Sequence, residues 1–214
     1  MLRDHGRPRG DEPGSGHCEL LHGVQRTLAP AMVARMADED PMGDISPDYG
    51  LGLAQGVNRL ADYNPLWPHA FAEEAARLKR ALGDAAIAIE HYGSTSVPGL
   101  RAKPIIDIQI GVARIEQGLE FILPMARLGY DYAGDQGIPE HHIFGRGKVR
   151  THLTHVVVYE GDQWRRTLRF RDRLRANPDL RAAYDALKAN LVQTTSSRAD
   201  YTEGKSDFVR LHSS

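Results

Sequence analysis

One stretch of this 214-residue chain, residues 87–112 (IAIEHYGSTSVPGLRAKPIIDIQIGV), constrains the fold more than any other. Residues 87–92 mix apolar and polar side chains at short range and predict a strand. It stops at Gly93. Ser94, Thr95 and Ser96 can cap a short helical turn before the break at Pro98-Gly99. After Lys103-Pro104, residues 105–110 (IIDIQI) predict a second strand, its isoleucines on both faces, as suits a strand covered from both sides. Asp107 is the exception in that run. A carboxylate inside such a strand has to be hydrogen-bonded, paired or bound to a metal.

The two strands suit one job. A Gly-Ser turn at a strand end offers N–H groups and hydroxyls to an anion such as phosphate. A carboxylate on the neighbouring strand can hold the Mg²⁺ that bridges phosphate oxygens. On this reading Gly93, Ser94, Thr95 and Ser96 cradle a phosphate and Asp107 is the metal ligand. The alternative makes Asp107 a structural carboxylate satisfied by the turn.

Tyr92-Gly93-Ser94, twelve residues, then Asp107-Ile108-Gln109-Ile110 resembles the signature of the nucleotidyltransferase superfamily of DNA polymerase β-like enzymes. More narrowly, GSTSVPGL followed by AKPIIDI resembles the GrpB family, whose domain is also fused to some bacterial dephospho-CoA kinases. Residues 62–68 (DYNPLWP) resemble that family's Tyr-Asp-Pro-x-Trp opening, with Asn64 in place of Asp. WRRTLRFRDRLR, YDALK and YTEGKSDF extend the resemblance over about residues 57–210. It implies an α/β, nucleotidyltransferase-like fold: a mixed β-sheet covered by helices, with C-terminal helices. It also implies binding of a nucleotide or phosphorylated small molecule, with Mg²⁺-dependent nucleotidyl transfer as the activity of the wider superfamily. The superfamily places a second carboxylate where this chain has Gln109, and an amide oxygen is a far weaker Mg²⁺ ligand. That departure favours the alternative: a non-catalytic module on the same fold, for ligand sensing or for assisting a partner's folding.

Other polar residues add to the candidate site. His141, His142, His152 and His155 cluster in sequence, and imidazoles suit Zn²⁺. His152 and His155 are three apart, so a regular strand points them to opposite faces, which weakens a metal reading. A His-based metal hydrolase therefore trails the phosphate readings. His155 matches a family histidine just before a valine run and is expected to act as phosphate ligand or proton-transfer group. Lys103, Lys148, Arg150 and Lys205 are the cations expected to neutralise phosphates.

The rest of the chain bounds the answer. Lys plus Arg number 27 against 28 Asp plus Glu, so no global charge favours nucleic acid or a membrane surface. The arginines of residues 165–175 spread around more than one helical face, which predicts a solvated surface rather than an RNA contact. A single cysteine, Cys18, excludes an intrachain disulfide framework, and no apolar run is long enough to span a bilayer, so a cytoplasmic protein is expected. Residues 1–55, rich in Gly, Pro, Asp and Arg, are expected to be a mostly flexible N-terminal extension, with a short helix over 20–37 broken near Pro30. Met36 and Met42 are alternative natural starts. Residues 56–214 form the expected domain.

Within it, residues 57–68 read as a strand and turn. A helix follows with Phe71, Ala75, Leu78 and Leu82 inward and Glu73, Glu74, Arg77, Lys79 and Arg80 outward. Residues 114–128 predict an amphipathic helix kinked or bounded at Pro124. Strands are expected at 130–132, 141–147 and 152–160. Gly161-Asp162, Asn177-Pro178 and Ser197-x-x-Asp200 open the last helices.

Overall fold

The computed structural model describes residues 48–195 and 197–213. The expectations for residues 1–47 (flexibility, the helix over 20–37, the alternative starts) lie outside the described residues. Five strands make one mixed sheet: β1 (Ala88–Tyr92), β2 (Ile106–Val112), β3 (Tyr130–Tyr132), β4 (His142–Arg146) and β5 (His152–Val158). Their order is β1-β2-β5-β4-β3, with β2 and β5 parallel and the other neighbours antiparallel. The helices are α1 (Trp67–Leu82), α2 (Gln117–Glu120), α3 (Ile122–Ala126), α4 (Asp162–Ala176), α5 (Pro178–Thr194) and α6 (Arg198–His212). This is a mixed α/β fold. No helix among the described residues is long and apolar enough to cross a membrane.

The central strand sorts its side chains strictly. Ile106, Ile108, Ile110 and Val112 join one core with Trp67, Ala70, Leu78 and Leu82 of α1 and Phe121 and Met125. Asp107, Gln109 and Gly111 alternate with them and therefore take the opposite face. The expectation of isoleucines on both faces is thus corrected: Ile105 precedes β2, and the three inside it share one face. The strand is still covered from both sides, because α4 lies over the polar face. Gly111 admits it: a methyl there would come within 2.8 Å of Tyr159 Cδ2 and 3.0 Å of Trp164 Cζ3. Two residues earlier, Gln109 is 1% exposed; its Oε1 accepts from Thr167 Oγ1 at 2.6 Å and its Nε2 donates to the Trp164 carbonyl at 3.4 Å.

α1 carries Pro in its first turn, where the missing N–H is no loss, and ends at Gly83 with φ 61°. Its inner stripe is Trp67, Ala70, Glu74, Leu78 and Leu82. Glu74, expected on the outer face, is buried. It accepts from Tyr130 Oη at 2.9 Å, Arg146 Nη1 at 3.0 Å and Arg77 Nη1 at 3.4 Å. Such a carboxylate is tolerated inside because its oxygens are met by donors.

Residues 48–66 form no strand; they touch the body through single bridges, Leu53 with Arg150 and Ala61 with Ala102. Residues 48–55, grouped by composition with the extension, are held there: the Tyr49 carbonyl accepts from Asn64 Nδ2 and Trp67 Nε1, and Leu53 is buried. Residues 114–128 split into α2 and α3 at Phe121, and Pro124 falls in the first turn of α3, where it breaks no hydrogen bond. Asn177 and Ser197 cap α5 and α6 by accepting from the N–H groups of Leu180 and Asp200, each at 3.0 Å. The arginines of α4 are more than a solvated face. Arg171 donates to Glu90 and the His91 carbonyl, Arg175 to the Ser96 carbonyl, and Arg169 and Arg173 to the carbonyls of Ser213 and His212. Together they tie α4 to β1, to the turn after it and to the C-terminus.

Candidate functional site

Between the polar face of the sheet and helices α4–α6 lies a cavity of about 340 Å³. Its floor is the end of β1 and the start of β2. Tyr92 pairs with Asp107, and Gln109 with His155, so Asp107 and His155 rise from neighbouring parallel strands on one face. The residues after Tyr92 turn over this floor as one 3-10 turn, Ser94–Ser96.

Gly93 makes that crossing feasible. Its backbone sits at φ 72° and ψ −176°, a region essentially restricted to glycine. A Cβ there would stand 2.8 Å from both Cβ and Cγ of Asp107. The turn thus rests directly on the carboxylate, with Gly93, Ser94 and Asp107 all lining the cavity. The other two residues of the expected cradle face away. A 3-10 turn advances by a third of a circle per residue, so three successive side chains take three directions. Thr95, 1% exposed, lies within 3.0 Å of His91 Nε2 and donates to the Ile105 carbonyl at 3.3 Å. Ser96 donates back to the Gly93 carbonyl at 2.6 Å. Both hold the turn together.

Cations enter from three elements. Lys103 Nζ lies 3.7 Å from the centroid of the Tyr201 ring and donates to Asn58 Oδ1 at 2.6 Å. Lys205 Nζ, from α6, lies 4.6 Å from the same centroid. Arg166 and Arg171 of α4 also line the cavity, and Phe170, Leu174 and Tyr184 supply apolar surface. Burial, with the Asp107 charge adding to it, pushes the hydroxyl pKa of Tyr92 and Tyr201 upward. These phenols are therefore neutral donors at ordinary pH. Arg150 is elsewhere: it forks onto Asp131 at 2.7 and 3.1 Å. Lys148 is exposed and does not line the cavity.

His155 joins the cavity as half of a pair. Its Nδ1 lies 2.5 Å from His141 Nε2, and its ring meets Tyr92 edge-on at 5.5 Å. Burial, and then the His141 charge, lowers the His155 pKa to about 3, while burial and His142 lower that of His141 to about 4. Both rings are neutral near pH 7, so one donates to the other and His155 Nε2 is left for a ligand. His142 serves structure, held between Tyr132 Oη at 2.8 Å and the Ile115 carbonyl at 3.0 Å. His152 lies on the other face of the sheet, beside Thr151.

Among the described residues no group of three or more His, Cys, Asp or Glu is placed to hold a metal. Among the described residues, Asp107 is the single carboxylate lining the cavity. Gln109 is bound to α4 and is absent from the lining, and Glu90 is engaged by Arg171 at 2.7 Å. This donor set does not fit a two-metal centre. It fits one Mg²⁺ that brings most of its ligands as phosphate oxygens and water, with Asp107 as the protein's share.

Sequence reasoning did not find Tyr184, Tyr201 or Arg166. All three lie in strings that carry the family resemblance, but nothing in the sequence says that three separate helices converge on one strand end.

A model of the family described as GrpB protein matches residues 58–214. The chain is 40% identical over 150 residues to the UPF0157 protein YqkA of Bacillus subtilis, covering 69% of this chain and 44% of that one. It is 32% identical over 166 residues to the glutamate-rich protein GrpB of Alkalihalophilus pseudofirmus, covering 74% of this chain and 95% of the relative. The crystal structure of the conserved protein GrpB from Enterococcus faecalis superposes with a TM-score of 0.67 at 36% identity, over 72% of this chain and 94% of that one. The cavity therefore lies wholly within the matched region, and the chain belongs to the GrpB family.

Proposed function

We propose that this protein binds a phosphate ester, a nucleotide first among them, in the cavity over β1 and β2. The observation that supports this most is the composition of one wall: Lys103 and Lys205 meet at the Tyr201 ring, in the cavity that also holds the Gly93-Ser94 turn and Asp107. Fixed ammonium groups suit a phosphate as point charges. The Phe170, Leu174 and Tyr184 side suits the uncharged part of the ligand. A cavity of about 340 Å³ is at the small end of ligand sites, of the size of a mononucleotide rather than a polymer.

In this reading the relation to nucleotidyltransferases is one of fold and phosphate cradle. Mg²⁺, arriving with the phosphates, would supply charge neutralisation, and Asp107 would hold it. His155 Nε2 and the tyrosine hydroxyls would orient the ester oxygens. Gln109, committed to Thr167, favours a binding or sensing module over two-metal nucleotidyl transfer. A cytoplasmic setting belongs to the same proposal.

The test is thermal denaturation against a panel of nucleotides and small phosphate esters, with and without Mg²⁺. A true ligand at a hundred times its dissociation constant adds roughly 2.7 kcal/mol. Lys205→Gln and Ser94→Ala should shrink that shift. No shift with any ester, under either metal condition, counts against the proposal.

A further inference from the structure

The Gly93–Ser96 turn has a second side. Behind it lies a cleft whose lining includes Tyr63, Phe71, His91 and three arginines, Arg171, Arg175 and Arg181. Each guanidinium is held in place. Arg175 donates through Nε and Nη2 to the Ser96 carbonyl, at 3.0 and 2.8 Å. Arg181 Nη1 donates to the carbonyls of Leu174 and Arg175, at 3.3 and 3.4 Å. Arg171 occupies both nearby carboxylates, Glu90 and Asp172, at 2.7 Å each.

The charges do not balance. Arg175 retains only a 3.5 Å approach to Asp172, and among the described residues Arg181 has no carboxylate partner. Carbonyls anchor these two cations without neutralising them. The crowding is felt locally: after burial, Arg171 is the next cause lowering the Arg175 pKa, and burial with both arginines lowers that of His91 to about 3. The rest of the cleft wall is aromatic, with Phe71 stacked on His91 at 4.8 Å and Tyr63 edge-on to Trp67 at 5.5 Å.

We propose that this cleft is a second anion site, in which Arg175 and Arg181 take the phosphate of a phosphomonoester and the Tyr63–Phe71 wall takes its flat apolar group. Arginine forks match phosphate oxygens, and preset guanidinium groups lose little freedom on binding. The site is separate from the cavity in front of the turn. It is joined to it mechanically, because Arg171 lines both and Arg175 grips the back of the turn that cradles the first ligand.

The experiment uses the full chain, with inorganic phosphate and phenyl phosphate titrated at constant ionic strength and NMR shifts followed at Tyr63, Phe71 and Arg175 in the cleft and at Tyr184 and Tyr201 in the front cavity. Phenyl phosphate should bind more tightly than phosphate, because only it uses the aromatic wall. Arg181→Gln should weaken binding by roughly tenfold or more, the loss expected for one charge-assisted contact. Arg181→Lys, which keeps the charge and loses the fork, should fall between, and covers the case in which the glutamine variant melts. Lys205→Gln, in the front cavity, should leave these shifts unchanged. Shifts confined to the front cavity, or cleft shifts indifferent to both Arg181 variants, would overturn the proposal while leaving the front site standing. Cleft shifts alone would support it, and the front site, which takes its phosphate with Mg²⁺, is judged by the thermal screen.

Discussion

Gly93→Ala strikes the contact on which the site is built, the turn lying on Asp107. The backbone at φ 72° and ψ −176° is strained for any residue with a Cβ, at about 1–3 kcal/mol. The new methyl would also lie 2.8 Å from two carbons of Asp107, which β2 holds between β1 and β5. Relieving such overpacking typically costs about 1–3 kcal/mol more. The sum, about 2–6 kcal/mol, is a large part of an ordinary domain's stability of about 5–15 kcal/mol. Gly99 supplies the control: its φ is 77°, but a Cβ there meets nothing within 4 Å. Gly99→Ala should carry backbone strain alone. Urea denaturation of both variants at neutral pH measures the difference. If the two alanines cost the same, the turn does not press on Asp107.

Three further outcomes follow from buried polar groups. His91, His152 and His155 have pKa values lowered to about 3 and His141 to about 4, from 6.5, chiefly by burial. The unfolded chain therefore takes up protons first: stability should be full above about pH 6.5 and fall toward pH 4, by about 1.4 kcal/mol per pH unit for each histidine; denaturation midpoints that stay flat between pH 7 and 5 would contradict this. Glu74→Ala should cost about 3–5 kcal/mol, because it strips Tyr130 and Arg146 of their shared buried acceptor; a loss below about 1 kcal/mol would place Glu74 outside the core network. Gln109→Asp should lower stability without raising Mg²⁺ affinity, since that side chain addresses Thr167 and Trp164; tighter Mg²⁺ binding, read by calorimetry, would show that residue 109 reaches the cavity.

What the sequence made legible was local. Gly93 breaking a strand, a hydroxyl-rich turn and a lone carboxylate in an isoleucine run are signals a few residues long, and they locate the cavity floor. Lys103 came from its place just before Asp107, and His155 and Lys205 from the family resemblance. Three things were hidden, each for its own reason. Helical periodicity placed Glu74 outside, because its partners Tyr130 and Arg146 lie 56 and 72 residues away. Treating the turn as a uniform cradle overlooked that Thr95 and Ser96 must spend their hydroxyls on closing it. Gln109 looked like a missing metal ligand; in the fold it is the hydrogen-bonded anchor of α4.

The most direct test of a phosphate site at Asp107 is the affinity of a nucleotide or other ester from the thermal screen, measured by calorimetry across Mg²⁺ concentrations in the wild type and Asp107→Asn. Without Mg²⁺ the bare carboxylate repels the phosphate, so Asp107→Asn should bind more tightly than wild type. With Mg²⁺ bridging carboxylate and phosphate, the wild type should gain affinity by a coupling on the order of 5–150-fold, the variant should gain little, and the two curves should cross. Parallel curves, with Asp107→Asn and wild type responding alike to Mg²⁺, would contradict the account and leave Asp107 a structural carboxylate beneath the turn.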